Sequence, residues 1–386
     1  MRSVTELDVN GQRVLVRVDF NVPLRDGEIT DDTRIRAALP TIEWLSEHGA
    51  KTILVSHLGR PKGPDPAFSL APVAERLGDL IGTRVAFATD VVGESARAAV
   101  AALAPGEIVL LENIRFEPGE TKNDDELAKQ LASLCDIYVN DAFGSAHRAH
   151  ASTEGITHHV AFSAAGLLLE REVSALGVIL SAPARPLVAV LGGSKVTDKI
   201  GVIDRFLELA DHVLIGGAMC FPFFKVEGHS VGASLCEEEG LEPARDALAR
   251  GGEKLVLPTD LGIGERVETG AERRNTDGVE VPESWMGLDI GPRTAERYAE
   301  LIAGAGTVFW NGPMGVFEIP PFDAGTRTVA EAVAACAGTT VAGGGDSVAA
   351  LAKFGLTDRV THVSTGGGAT LELVEGRVLP GVAALG

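Results

Sequence analysis

Apolar positions along this chain follow two rhythms that take turns. Short β-branched runs recur: RVLVRVDF, TILVSH, RVAFA, EIVLLEN and DIYVNDA in the first half, then PLVAVLGG, HVLIGG, KLVLP, TVFWNGP, TTVAGGG and HVSTGGG in the second. Between them lie stretches such as DDTRIRAALPTIEWLSEHG and VTDKIGVIDRFLELA, apolar at helical spacing. Strand–helix alternation predicts parallel sheets with crossover helices, an α/β fold. Residues 166–180, GLLLEREVSALGVIL, read as a further helix, followed by the Pro-punctuated SAPARP. A boundary near 180–186 divides the chain almost evenly, and no residue-level repeat relates the halves.

The length of 386 residues suits two domains. Net charge is −20, a surface that repels nucleic acid on average, so an anionic ligand must be drawn in by local cations. No apolar run reaches the length of a membrane span. The opening MRSVTELDVNGQRVLV lacks a basic-then-apolar export pattern, and the expected location is the cytoplasm. Cys135, Cys220, Cys236 and Cys336 lie too far apart for a zinc cluster or a disulfide framework, and are expected to be reduced, buried and inert.

In open parallel sheets, ligands bind beyond the carboxyl ends of the strands. In the first half those ends carry Asp19 and Asn21, His57 and Arg60, Arg115 and Arg148, and Arg34 opens the helix after DGEIT. Arginine forks match carboxylate and phosphate oxygens in pairs, so these cations suit a small polyanion. In the second half the ends are glycine-rich: LGG, IGG, WNGPMG, AGGGDS and STGGGAT. Glycines before a helix present N–H donors to phosphate, although each cluster alone could be only a tight turn. There is neither a P-loop GK dipeptide nor a GxGxxG. Lysine is scarce, nine against twenty-five arginines, yet LGGSKVTDKI holds Lys195 and Lys199 four apart. On a helix the two would share a face towards a phosphate. Asp346 and Ser347 in GGGDS suit a Mg²⁺-holding carboxylate or a plain N-cap, and Glu318 a ribose contact or a surface residue. HRAH (147–150) lacks a third metal ligand. No general base or activated nucleophile stands out. A carboxylate phosphoryl acceptor needs none, being ionised at pH 7, which points to acyl phosphate chemistry.

Together these segments resemble the phosphoglycerate kinase family. The matching stretches are RVDFNVP (17–23), SHLGRP (56–61), ENIRF (112–116), DAFGSAHRAHAS (141–152), AAGLLLERE (164–172), LGGSKVTDKI (191–200), LIGGAM (214–219), WMGLDIGP (285–292), WNGPMGVFE (310–318), AGGGDS (342–347) and STGGGATLELVEG (364–376). The resemblance implies two doubly wound, Rossmann-like parallel-sheet domains joined by a hinge helix. It places a triose-acid-binding domain at 1–165, the connecting helix and linker at 166–186, a nucleotide-binding domain at 187–370, and a tail, 371–386, returning to the first domain. It implies a cytosolic monomer acting on 3-phosphoglycerate, 1,3-bisphosphoglycerate and Mg²⁺ with ATP or ADP, with no nucleic-acid or membrane partner.

The resemblance also assigns roles. Asp19, Phe20, Asn21, Arg34, His57, Leu58, Gly59, Arg60, Arg115 and Arg148 would bind the triose acid, and Lys195 and Lys199 the nucleotide phosphates. Gly216, Gly217, Gly287 and Leu288 would form the adenosine pocket, and Glu318 would meet the ribose. Asn311, Gly344, Gly345 and Ser347 would add to the nucleotide site, with Asp346 at the metal. Arg34, Lys199, Gly367 and Gly368 would surround the transferring phosphoryl in a cleft that closes. Ser145 and Ser347 stand where the family usually has threonine. Two rivals are a kinase for a smaller acid such as acetate or carbamate, and a non-enzymatic, hinge-closing binding protein.

Overall fold

The computed structural model describes residues 1–386. Its contacts divide the chain into two compact units. The first is Met1–Ser174 with Val378–Gly386, and the second is Ala175–Arg377.

The strands of the first unit are β1 (Arg13–Arg17), β2 (Leu24–Arg25), β3 (Glu28–Ile29), β4 (Lys51–Val55), β5 (Val85–Phe87), β6 (Ile108–Leu110), β7 (Ile137–Asn140) and β8 (Ser163–Ala165). β2 and β3 make a small antiparallel hairpin. The other six form one parallel sheet in the order β5-β6-β4-β1-β7-β8. Val14, Leu15 and Val16 in β1 are fully buried, as expected of a strand covered by helices on both faces. The helix Thr33–Glu47 buries Ile35, Ala38, Ile42 and Leu45, a stripe at helical spacing that joins Val14 and Val16 in one core. The last residues close over the end of β7: Asn140 Nδ2 donates to the Gly381 carbonyl (3.1 Å), and Gly381 N–H to that of Ala146 (2.9 Å).

The second unit contains β9 (Leu187–Leu191), β10 (His212–Ile215), β11 (Leu255–Val256), β12 (Leu261–Gly264), β13 (Arg274–Asn275), β14 (Met286–Ile290), β15 (Thr307–Asn311), β16 (Thr339–Gly343) and β17 (His362–Val363). Six are parallel in the order β11-β10-β9-β15-β16-β17, while β13-β12-β14 form a separate antiparallel sheet. From β9 the chain steps outwards to β10 and β11. From β15 it steps the other way to β16 and β17. β9 and β15 are therefore neighbours whose following loops diverge, the crevice where open α/β sheets hold ligands. No helix is long and apolar enough to cross a membrane.

Candidate active site

In the first unit, the loops after β1, β4 and β6 are tied to one another. Asn21 Oδ1 accepts the Gly59 N–H (2.8 Å), and Ser56 Oγ accepts that of Phe20 (2.8 Å). Asn113 accepts from the Leu58 (3.2 Å) and Arg115 (3.1 Å) amides and donates to the carbonyls of Leu58 (2.8 Å) and Phe68 (2.9 Å). Gly59 has φ +61°, and a Cβ there would lie 2.3 Å from the Phe68 ring, so only glycine fits. Phe20 and Leu58 turn their side chains into the core. Only main chain remains at the loop surface there, and its Phe20 and Leu58 N–H groups are already engaged by Ser56 and Asn113.

Arg34, in the first turn of its helix, donates through NH1 to Asp19 Oδ2 (2.7 Å). Arg115 donates to the Gly59 carbonyl, and Arg148 Nε to His147 Nε2 (3.0 Å), so neither of these bonds neutralises its charge. Arg60 and Arg148 are exposed. The groups feel one another. Burial, then the charges of Arg17, Arg148 and, more weakly, Arg60, hold the Arg115 guanidinium below its ordinary value, with Glu120 opposing. Burial pushes the Asp19 carboxyl up, but His57, Arg34 and Arg17 outweigh it and hold it below the usual carboxylate range. His57 corrects the sequence expectation of a fifth cation. Burial, and then Arg17, hold its imidazole well below 6.5, and Asp19 only partly offsets them. Near pH 7 the ring is neutral and offers a hydrogen bond, and only in acid does it carry a charge towards Asp19.

The second unit's residues gather at the β9/β15 crevice. Lys199 Nζ donates to the carbonyls of Gly192 (2.5 Å), after β9, and Asn311 (2.9 Å), which ends β15. Burial lowers its ammonium to about 8, with Asp346 and Asp198 pulling the other way. Asn311 Nδ2 donates to the Gly343 carbonyl (2.9 Å), and Gly312 N–H to Ser347 Oγ (2.5 Å), so the hydroxyl that replaces threonine's is in use. The helix Gly345–Phe354 starts from Gly344 as N-cap, which leaves Asp346 in its first turn, exposed and not capping.

One expectation fails here. Lys195 and Lys199 do not share a helix face. The segment after Gly193 stays irregular through Lys195, makes one 3₁₀ turn over Thr197–Lys199, and becomes α-helical only at Ile200. Lys195 is exposed in the loop, while Lys199 turns back under it. The spacing of four reflects a loop wrapping around the crevice, not a helical repeat.

Beside the crevice lies a cavity of about 370 Å³, the size of a small-ligand site. Gly217, Gly287, Leu288 and Met314 line it, with Asp289, Glu318 and Asp346 as its acidic members. Gly287 is obligatory: a Cβ there would sit 2.2 Å from the Phe221 ring. Gly216 is pressed against Met314 Sδ behind the lining. Leu235 and Val267, exposed by 63% and 44%, also line the cavity and leave apolar surface for a flat ring to cover. At the end of β17, Gly367 caps the helix Gly368–Val374, and the Gly366 amide is engaged by Ser364 Oγ (3.2 Å).

A sequence model described as "Phosphoglycerate kinase" matches residues 4–377. A phosphoglycerate kinase of Rubrobacter xylanophilus is 56% identical over 385 residues, covering 100% of this chain and 98% of its own. The solved structure of phosphoglycerate kinase from Coxiella burnetii has a TM-score of 0.91 at 43% identity, over 99% of this chain and 98% of that one. That from Pyrococcus horikoshii OT3 has a TM-score of 0.88 at 34% identity, over 100% and 98%.

The chain belongs to the phosphoglycerate kinase family.

Within that family fold, sequence reasoning passed over a buried polar group behind the first unit's cations. Arg17, Glu120 and Ser152 are 1%, 1% and 0% exposed. Arg17 did carry a signal, an arginine in the middle of the apolar run RVLVRVDF. Glu120 and Ser152 carried none, because only folding brings them to it. The cysteine expectation holds for Cys135 and Cys220, which are buried with thiols pushed up to about 12 and further, while Cys236 and Cys336 are partly exposed.

Proposed function

We propose that the chain catalyses reversible phosphoryl transfer from 1,3-bisphosphoglycerate to Mg-ADP, giving 3-phosphoglycerate and Mg-ATP, by in-line displacement. The observation that carries the reading is the contrast between two sites in one chain. One is built of side-chain cations, the other of a glycine-rich crevice and an apolar cavity. In the first site, the His57 imidazole and the Asp19 carboxylate are both held too acidic to take a proton readily. A carboxylate acceptor needs no base.

In this reading Asp19, Asn21, Arg34, His57, Arg60, Arg115 and Arg148, with the main chain of Phe20, Leu58 and Gly59, grip the triose acid. Lys195 and Lys199 meet the nucleotide phosphates. Asn311, Gly344, Gly345 and Ser347 shape their cradle. Gly216, Gly217, Gly287 and Leu288 form the adenosine pocket, and Glu318 meets the ribose. Arg34, Lys199, Gly367 and Gly368 neutralise charge on the transferring oxygens, each such contact contributing about 3–4 kcal/mol. Asp346 suits Mg²⁺: it is an exposed carboxylate lining the cavity, the single-carboxylate kind of site at which Mg²⁺ is held together with nucleotide phosphates. Mg²⁺ bound there would supply positive charge to those oxygens. The two ligands are assigned to separate units, so transfer requires a closing motion, with residues 166–186 as hinge and water excluded from the acyl phosphate. The same reading makes the enzyme a cytoplasmic monomer.

The experiment mixes the protein with Mg-ATP and either 3-phosphoglycerate or acetate, and traps acyl phosphate with hydroxylamine. Product with 3-phosphoglycerate alone is expected. Product with acetate alone assigns the chain to a different acid, and no product with either removes the reading.

A further inference from the structure

Behind the first unit's cations lies a buried polar chain with no part in the transfer itself. Arg17 closes β1, and a guanidinium is seldom buried without partners. Here each edge is occupied. Nε donates to Ser152 Oγ (2.8 Å), one terminal nitrogen donates to the Val18 carbonyl, and the other faces His57 Nδ1 at 3.2 Å. Ser152 in turn donates its hydroxyl to Glu120 Oε1 (2.6 Å) and its N–H to Oε2 (3.0 Å). Burial pushes the Glu120 carboxyl up, but hydrogen bonding by His150, the charge of Arg17 and the Ser152 hydroxyl hold it below its usual range. The charge on Arg17 thus has an anion one hydroxyl away, and its plane is fixed from three sides.

Valence then sets a direction. A guanidinium has only N–H groups to offer. The ring nitrogen facing it must be the acceptor, which puts the imidazole proton on Nε2. We propose that Arg17 is a positioning residue that holds His57 as the Nε2–H tautomer, so that the ring meets the substrate acid as a directed hydrogen-bond donor. The proposal rests on the reading of His57 as a triose-acid contact. The charged groups around the ring are Arg17 from β1, Asp19 from the loop after it, Arg115 from the segment after β6, and Arg34 from the helix Thr33–Glu47. Three of the four are cations, and each opposes an imidazolium. An imidazolium would also turn Nδ1–H against the guanidinium, donor against donor. The charges needed to hold the anion are supplied by arginines, and the histidine supplies direction.

The test records two-bond ¹H–¹⁵N spectra of the histidines in the full ¹⁵N-labelled chain from pH 5.5 to 8.5, with and without 3-phosphoglycerate. His57→Gln assigns the signals. The wild type should show Nδ1 unprotonated and Nε2 protonated across the range. Arg17→Met should give mixed tautomers and a ring that titrates closer to ordinary histidine. Its KM for 3-phosphoglycerate should rise about tenfold or more, the size of one lost charge-assisted hydrogen bond, with a smaller change in kcat. A proton on Nδ1 in the wild type overturns the proposal, as does an unchanged tautomer in Arg17→Met. Should Arg17→Met not fold, Ser152→Ala loosens the guanidinium instead, and the wild-type spectrum still decides the tautomer. If the wild-type tautomer is as proposed but 3-phosphoglycerate leaves the His57 signals unmoved, the substrate contact is overturned and the tautomer stands on its own signal.

Discussion

Lys199 shows how one side chain can be legible in sequence for its chemistry and illegible for its geometry. Its scarcity in an arginine-rich chain marked it for a phosphate. Its i,i+4 relation to Lys195 suggested a helix face that does not exist. The bonds to the Gly192 and Asn311 carbonyls could not be read beforehand, because they depend on which two strands become neighbours. In the free protein burial brings the ammonium to about 8, so its positive charge is present below that pH and lost above it. Mg-ADP affinity should therefore weaken as pH rises through about 8 in the wild type, and stay flatter in Lys199→Arg, whose guanidinium keeps its charge; calorimetric titration from pH 7 to 9.5 checks this. Lys199→Ala should lower kcat at saturating nucleotide by about 10²–10³-fold. A pure rise in KM would mark the lysine as a contact made equally in ground and transition states.

At the scale of elements, the strands and long helices were legible because burial on both faces and helical periodicity write themselves into local sequence. The anchors between elements were not. Asp141 follows β7, yet its Oδ1 accepts the amides of Leu168 (2.9 Å) and Leu169 (3.2 Å), and Thr41 Oγ1 accepts that of Leu167 (2.9 Å). These are the orphan N–H groups at the start of the helix Leu167–Ser181, capped from a distance. Gly166 makes the approach possible, since a Cβ there would meet Asp141 Oδ1 at 2.2 Å. Burial raises Asp141 to about 7, against the pull of Thr41 and the two amides. An unfolded aspartate titrates near ~3.9, so between about 4 and 7 the folded state holds the proton that the unfolded state has released. Asp141's contribution is therefore fully present below about pH 4 and is lost progressively as pH rises to about 7. Asp141→Asn cannot titrate. In urea unfolding from pH 4.5 to 8, the wild type should lose stability relative to this variant as pH rises, whereas parallel curves would show that Asp141 does not titrate there. Asp141→Ala removes the acceptor and should cost about 1–2 kcal/mol at pH 5.

For the whole molecule, a net charge of −20 makes the local cations of the first unit the decisive feature for any anionic substrate. The glycine-rich strand ends of the second unit make the complementary case, donors built from backbone and one half-buried lysine. That contrast was visible in the sequence, strand end by strand end. The buried Arg17–Ser152–Glu120 chain and the Asp141 anchor were not, because they join residues far apart in sequence across the fold. The central claim is a division of labour, one substrate per unit. Hydrogen–deuterium exchange on the full chain, with 3-phosphoglycerate alone and with Mg-ADP alone, tests it most directly. 3-Phosphoglycerate should slow exchange in the loops at 19–21, 57–60 and 113–116, and Mg-ADP in those at 192–199, 216–218, 286–288 and 344–347. Either ligand slowing the other unit's loops while leaving its own set unchanged would contradict the account.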